Sequence, residues 1–333
     1  MLLFVLPALA APELALVGNS YTQANRLDGV LAELLSSGGY TPVVTALAIP
    51  GYTFAGHVTE AETEGSRHHG VLIGHSPSWS WLVLQEQSQI PGFPASNSER
   101  MESATAARTL DGYARAAEAQ TLFLMTWGRR DGDSANPDLY PDFLTMQSLL
   151  AEGYLSFVAD TSTDERPTFV APAGYAFRAV YEADLAAGRD PRAAGSDFAA
   201  LYQEDGSHPS PEGTYLVACV LYAVLTGETP VGLSYDAGLD DAPRLAEVAA
   251  EVVFGDSPDI LYPWEIGEDP GDSEDSPADS SDSPADSPAP IDESPADSRC
   301  GCASAPPRGA LLPAALTLLF LRRKARISAQ GST

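Results

Sequence analysis

The decapeptide Glu13-Leu14-Ala15-Leu16-Val17-Gly18-Asn19-Ser20-Tyr21-Thr22 decides the architecture. An apolar run stops at a glycine and gives way at once to small polar residues, the pattern of a buried strand ending in a loop. Just downstream, Leu27, Val30, Leu31, Leu34 and Leu35 recur at the spacing of an amphipathic helix over 25–37, which Gly38 and Gly39 stop. Outward from this strand–turn–helix unit the pattern repeats. Strands are predicted over 42–49, 79–84, 121–127 and 168–173, and helices over 101–119, 143–153 and Pro211–Thr226. The last helix, read as the final one, is bounded by Ser210 as N-cap, Pro211 at its first position and Gly227 just past its end. Alternation of this kind predicts an α/β fold, a mostly parallel five-stranded sheet covered on both faces, with its site at the carboxyl ends of the strands.

Composition narrows what such a fold could do. The chain has 333 residues, 44% of them hydrophobic, enough for a substantial core. Lys+Arg 18 against Asp+Glu 46 gives a net charge of −28. A chain so acidic repels a phosphate backbone, which excludes nucleic-acid binding driven by counterion release. Three cysteines cannot build a disulfide scaffold, and neither a CxxC nor an HExxH pattern occurs, so no metal and no cofactor is expected.

The two ends differ from the middle. Residues 1–11, MLLFVLPALAA, are apolar and contain the A-x-A pattern Ala8-Leu9-Ala10, which reads as a signal peptide for export. Over 267–299 the motif Ser-Pro-Ala-Asp-Ser occurs at 276–280, 283–287 and 294–298, among 11 acidic residues and almost no large apolar ones. Such a segment cannot offset its ordering entropy and is expected to be a disordered, extended stalk. Residues 300–333 follow: Cys300-Gly301-Cys302, an apolar run of about 12 residues, and the basic cluster Arg322, Arg323, Lys324 and Arg326. The run is short of the roughly 20 residues a spanning helix needs. The segment resembles the C-terminal surface-sorting signals of myxobacteria, which implies a sorting protease and the membrane as partners through 300–326. An ordinary weak membrane anchor is the other reading. Both place the domain, 12–266, at the cell surface, attached to the outer membrane, or released after processing. Within that domain 35 acidic residues still face 12 arginines.

Three loops hold polar groups that a plain connection does not require. Gly18-Asn19-Ser20 places Ser20 at a helix entrance, where free N–H groups favour a developing anion, unless Ser20 only caps that helix. Asp205-Gly206-Ser207-His208-Pro209 can bring a carboxylate to the His208 Nδ1, leaving Nε2 to take a proton from a serine, unless it is a surface turn whose histidine is incidental. Leu84-Gln85-Glu86-Gln87-Ser88 ends the third strand, and Gln87 could offer an amide donor to an oxyanion.

Taken together these residues resemble the SGNH (GDSL-type) hydrolases, esterases and lipases with a flavodoxin-like three-layer sandwich. Gly18-Asn19-Ser20 matches the family's Gly-Asp-Ser block, and Asp205 to His208 its Asp-x-x-His block. The resemblance implies Ser20, Asp205 and His208 as a catalytic triad. It also implies an oxyanion hole from the N–H groups of Ser20 and Gly51, with Gly56 as runner-up, and from Gln87 in the slot of the family's asparagine. Two positions depart: Asn19 replaces aspartate, and Gln87 is longer than asparagine by a methylene. Asn19 and Trp127 are candidates for contacting substrate; Trp79, Trp81 and Trp127 are aromatic enough to line a sugar site, but core packing is the favoured reading for them. His57, His68, His69 and His75 have no carboxylate or cysteine at ligand spacing and read as structural or exposed. Cys219 reads as a core residue, and Arg129-Arg130 as a solvated loop or a site for an acidic substrate. The function expected is an extracellular serine esterase acting on a small-molecule or polysaccharide ester, with carbohydrate O-acyl groups the favoured class. The alternative is a non-catalytic surface binding module using the same cleft.

Overall fold

The computed structural model describes residues 12–255 and 260–266. The signal peptide, the stalk and the C-terminal segment expected from the sequence lie outside the described residues. The first strand is β1 (Glu13–Gly18), buried along nearly its whole length. A single turn, α1 (Ser20–Gln23), and a longer helix, α2 (Leu27–Ser37), lead to β2 (Val43–Ala48). Then come α3 (Phe54–Glu62), β3 (Trp81–Leu84), α4 (Ser98–Ala116), β4 (Gln120–Leu124), α5 (Phe143–Thr161) and β5 (Phe169–Ala171). Four helices complete the described chain: α6 (Ala173–Ala186), α7 (Asp197–Ala200), α8 (Pro211–Thr226) and α9 (Ala242–Phe254).

The strands form one five-stranded sheet in the order β2-β1-β3-β4-β5, and every pairing is parallel. Leu14, Leu16 and Val17 of the interior strand β1 lie opposite Val44, Ala46 and Leu47 on one side and Trp81, Val83 and Leu84 on the other. Helices flank this sheet in the flavodoxin-like arrangement. Because both faces are covered, the strands are continuous apolar runs rather than alternating ones. All of Gly213 to Val224 in α8 is buried, so α8 is apolar all round and packs between α2 and α9.

The boundaries of α8 fall where the capping residues place them: the Ser210 side chain accepts from the Gly213 N–H, and Gly227 is left-handed with φ 70°. It is not the last helix, however. The apolar stripe of α9 (Leu245, Ala246, Ala249, Val253) is well marked, but it lies beyond the Gly227 stop at which the sequence reading ended. The alanine-rich α6 was not anticipated either. A second correction concerns α5, which runs to Thr161 rather than stopping at Gly153. Gly153 is a point of close approach, since a side chain there would overlap the Pro91 carbonyl of the turn Ile90–Gly92.

Candidate active site

The site forms where the loops after β1, β2 and β3 meet the segment ahead of α8. Ser20 opens α1. Asn19 caps it, accepting from the Tyr21 N–H at 3.1 Å through Oδ1. The Asn19 amide donates to the Tyr52 carbonyl at 3.0 Å, and its own N–H donates to Gln85 Oε1 at 2.9 Å. One buried asparagine therefore ties the serine turn to the loop after β2 and to the end of β3. With its side chain so engaged and 3% exposed, Asn19 organises loops rather than facing a substrate.

Ser20 and His208 lie 188 residues apart in sequence, yet the Ser20 Oγ is 2.8 Å from His208 Nε2. His208 Nδ1 is 2.6 Å from Asp205 Oδ2. The other Asp205 oxygen accepts from the Ser207 N–H at 2.9 Å and the His208 N–H at 3.0 Å. Burial by itself raises the Asp205 pKa, but the hydrogen bonds from the His208 side chain and the two backbone N–H groups outweigh it and hold the carboxyl below its ordinary value. An ionised carboxylate accepts only, so the imidazole proton resides on Nδ1 and Nε2 is free to accept from the Ser20 hydroxyl.

The histidine loop is supported by an aromatic stack. Tyr21 lies on Trp127 with ring centroids 4.9 Å apart, and Trp127 lies on Phe177 at 4.5 Å. The Trp127 indole N–H donates to the Ser207 carbonyl at 3.2 Å, and the Tyr21 hydroxyl is 2.7 Å from Ser207 Oγ. Trp127 is 1% exposed, which places it beneath the site instead of on a substrate-binding surface. Trp79 is also buried, with its indole N–H on the Val71 carbonyl. Arg129 is ion-paired to Asp133 at 2.5 Å and joins Asp205 and Ser207 around a cavity of ≈ 320 Å³.

The expected oxyanion groups lie on the loops after β2 and β3, which Asn19 ties to the Ser20 turn through Tyr52 and Gln85. Gly51 occupies a tight turn in which the Tyr52 N–H donates to the Ile49 carbonyl at 3.1 Å. Its φ of 76° is left-handed, a conformation open to glycine at no steric cost. The Gly51 N–H makes no hydrogen bond among the described residues, whereas that of Gly56 is spent on the Thr53 side chain at 3.2 Å as part of the α3 cap. Gln87 departs from expectation. Its amide donates to Gln89 Oε1 at 3.2 Å and its oxygen accepts the Gln89 N–H at 2.7 Å. The additional methylene lets the side chain fold back onto its own loop, and one of its two N–H bonds stays uncommitted.

Two buried groups hold this part of the site together: Glu86, to which the sequence reading gave no role, and His57, which it read as structural or exposed. Glu86, 0% exposed, accepts the Phe54 N–H on both oxygens at 3.0 Å, the Gln87 N–H at 2.6 Å and the Ser103 hydroxyl at 2.7 Å. It thus braces the loop after β2 against the loop after β3. Burial pushes its carboxyl up to about 7, against those hydrogen bonds. His57, also 0% exposed, sits 2.9 Å from the Gly18 carbonyl through Nε2 and 2.9 Å from His68 Nε2 through Nδ1. Burial, with the neighbouring His68, lowers His57 to about 4, so it stays neutral and donates to Gly18, two residues before Ser20. No local pattern marks either residue; only burial reveals them. Cys219 is buried in α8 as expected.

No protein-family model matches the sequence, and no curated protein matches it. Among solved structures, the chain is similar to a protein from Slackia heliotrinireducens that carries a provisional SGNH-hydrolase assignment. The two are 28% identical, with 65% of this chain and 99% of that one covered at a TM-score of 0.50. A DUF4886-family protein from Bacteroides uniformis shares the fold at 17% identity, covering 77% of this chain and 100% of its own, with a TM-score of 0.57. The likeness to the first supports the SGNH-type domain expected from the motifs.

Proposed function

We propose that this domain is an extracellular serine esterase in which Ser20, His208 and Asp205 form the catalytic triad. The observation that carries the reading is the chain of short contacts from Ser20 Oγ to His208 to Asp205. His208 Nε2 takes the hydroxyl proton as Ser20 Oγ attacks the ester carbonyl. The oxyanion that forms meets the N–H groups of Ser20 and Gly51, with the uncommitted Gln87 N–H as a third donor. Such donors are commonly worth about 100- to 1000-fold each in rate. His208 then gives its proton to the departing alcohol, leaving an acyl-Ser20. Water, deprotonated by His208, attacks that ester and releases the acid.

Export and surface attachment rest on the terminal sequences, with a sorting protease and the membrane as partners through 300–326. An exported esterase meets polymers, so O-acylated carbohydrate is the substrate class we favour. One observation favours a second reading, a non-catalytic binding module: the Gln87 amide is turned onto Gln89. Labelling of the full-length protein with a fluorophosphonate, beside Ser20→Ala and His208→Ala, decides between them. Labelling that disappears in both variants is the expected result; a folded wild type that takes no label is the binding module.

A further inference from the structure

The described residues contain no lysine, and nearly all of their arginines are spoken for. Arg108, Arg115, Arg129, Arg130, Arg166, Arg178, Arg189, Arg192 and Arg244 are paired with carboxylates. Arg100 donates to the Gly153 carbonyl and to Ser156, and lies over the Phe157 ring. Arg26 and Arg67 alone make neither an ion pair nor a hydrogen bond among the described residues. In a domain where acidic residues outnumber arginines 35 to 12, these two exposed guanidinium groups stand apart from the rest. Both line the same cavity, ≈ 360 Å³ in volume, at the outer edge of the sheet along β2.

Two further features connect this cavity with Ser20. Thr22 and Gln23, on the turn that Ser20 opens, form part of its wall. One helical turn advances about 5 Å, so that wall begins within a sugar ring's length of the nucleophile. Arg26 is also held there deliberately. It and Asn25 are consecutive non-glycine residues with φ of 55° and 49°, a left-handed backbone that L side chains rarely adopt. The Asn25 amide secures the bend by donating to the Pro209 carbonyl and to Thr214 Oγ1, both at 2.9 Å. The bend that separates α1 from α2 is thus tied to the residue after His208. Asp28 also lines the cavity and is not within ion-pair distance of either arginine.

We infer that Arg26 and Arg67 form a carboxylate-binding subsite beside the nucleophile, so that the preferred substrate is an acylated acidic sugar polymer, an O-acyl ester on or next to a uronic acid. This deepens the esterase reading and rests on it. Two guanidinium groups lining one hollow suit a planar carboxylate, which each can meet through paired N–H groups. Asp28 accounts for a preference within anions, because it penalises a more highly charged group.

Two measurements on the full-length protein test the subsite separately from the chemistry. In the first, Ser20→Ala is titrated with trigalacturonate and with xylotriose by calorimetry. Trigalacturonate is expected to bind at least tenfold tighter, and Arg26→Gln or Arg67→Gln placed in the Ser20→Ala background should erase most of that preference, with Arg67→Lys retaining part of it. In the second, acetylated oligogalacturonate and acetylated xylo-oligosaccharide are compared as substrates. The acidic-to-neutral ratio of kcat/KM should fall about tenfold in each glutamine variant, through KM. Equal binding of the two sugars by a folded Ser20→Ala protein, or a preference that survives Arg26→Gln combined with Arg67→Gln, overturns the subsite whether or not esters are hydrolysed. Selective binding without hydrolysis or fluorophosphonate labelling in the wild type overturns the esterase reading instead.

Discussion

Ser20 stands between two differently built supports, each organised around a carboxylate. On the histidine side Asp205 is half open to water, its side chain 47% exposed, and hydrogen bonds hold its pKa down. On the Gln87 side Glu86 is wholly buried, and burial raises its carboxyl to about 7 although it accepts from three donors. The difference follows from what each group must do. A carboxylate that fixes a histidine tautomer has to stay ionised across the working pH range, and a site near water with several donors secures that. A carboxylate that joins two loops needs a rigid, dry setting, and pays in the cost of carrying charge there.

The largest effect that can break this comparison comes from Asp205→Asn. It keeps the shape of the loop but lets the other His208 tautomer form, and kcat is expected to fall by about 10⁴-fold with little change in KM. Steady-state kinetics on a simple aryl ester, with thermal melting to confirm folding, checks this. Activity near that of the wild type would show that Asp205 merely shapes the turn.

Glu86 gives the next largest effect, and it appears in stability. The carboxyl titrates at about 7 when folded against 4.5 ordinarily, so the folded protein holds the proton more tightly than the unfolded chain. Its contribution is therefore complete below pH 4.5 and declines as the pH rises through 7, by about 3 kcal/mol in all. His57 runs the other way: lowered to about 4 from 6.5, its contribution is complete above pH 6.5 and is lost as the pH falls through 4. Melting curves between pH 4 and 8 for Glu86→Gln should lose the decline at the alkaline end and keep the acid-side loss. An unchanged alkaline slope would place the buried charge elsewhere. The smallest effect is expected for Trp127→Phe, which keeps the stack on Tyr21 and Phe177 but removes the donor to Ser207. About 1 kcal/mol of stability and a few-fold in kcat should be lost, read by melting and by the same ester assay.

How much was legible in advance differs between the two supports. The strand order in sequence, the Ser20 turn and the Asp205 to His208 loop could all be read, because each depends on residues adjacent in the chain. Gly51 and its turn were legible from Pro50-Gly51, although the freedom of its N–H emerges only in comparison with the committed Gly56. The role of Glu86 was not legible, because its donors come from Phe54, Gln87 and Ser103, on three separate segments. Gln87 was placed in the right loop but its amide was not, since a side chain of that length chooses between its own loop and the cleft according to what packs around it. The helices α6 and α9 also went unread, although α9 carries a clear apolar stripe of Leu245, Ala246, Ala249 and Val253.

The sequence by itself determined the local matters: where apolar runs make strands, where Ser210, Pro211 and Gly227 bound a helix, and which loops carry groups capable of chemistry. Hydrophobic period and capping act over a few residues, so a linear reading captures them. The tertiary structure alone decided that Ser20 meets His208 across 188 residues, that Glu86 and His57 are sealed from water, and that Arg26 and Arg67 are left unpaired around one hollow. Those outcomes depend on distant segments sharing a volume from which water is excluded, and the energies of charge and hydrogen bonding are set by that exclusion.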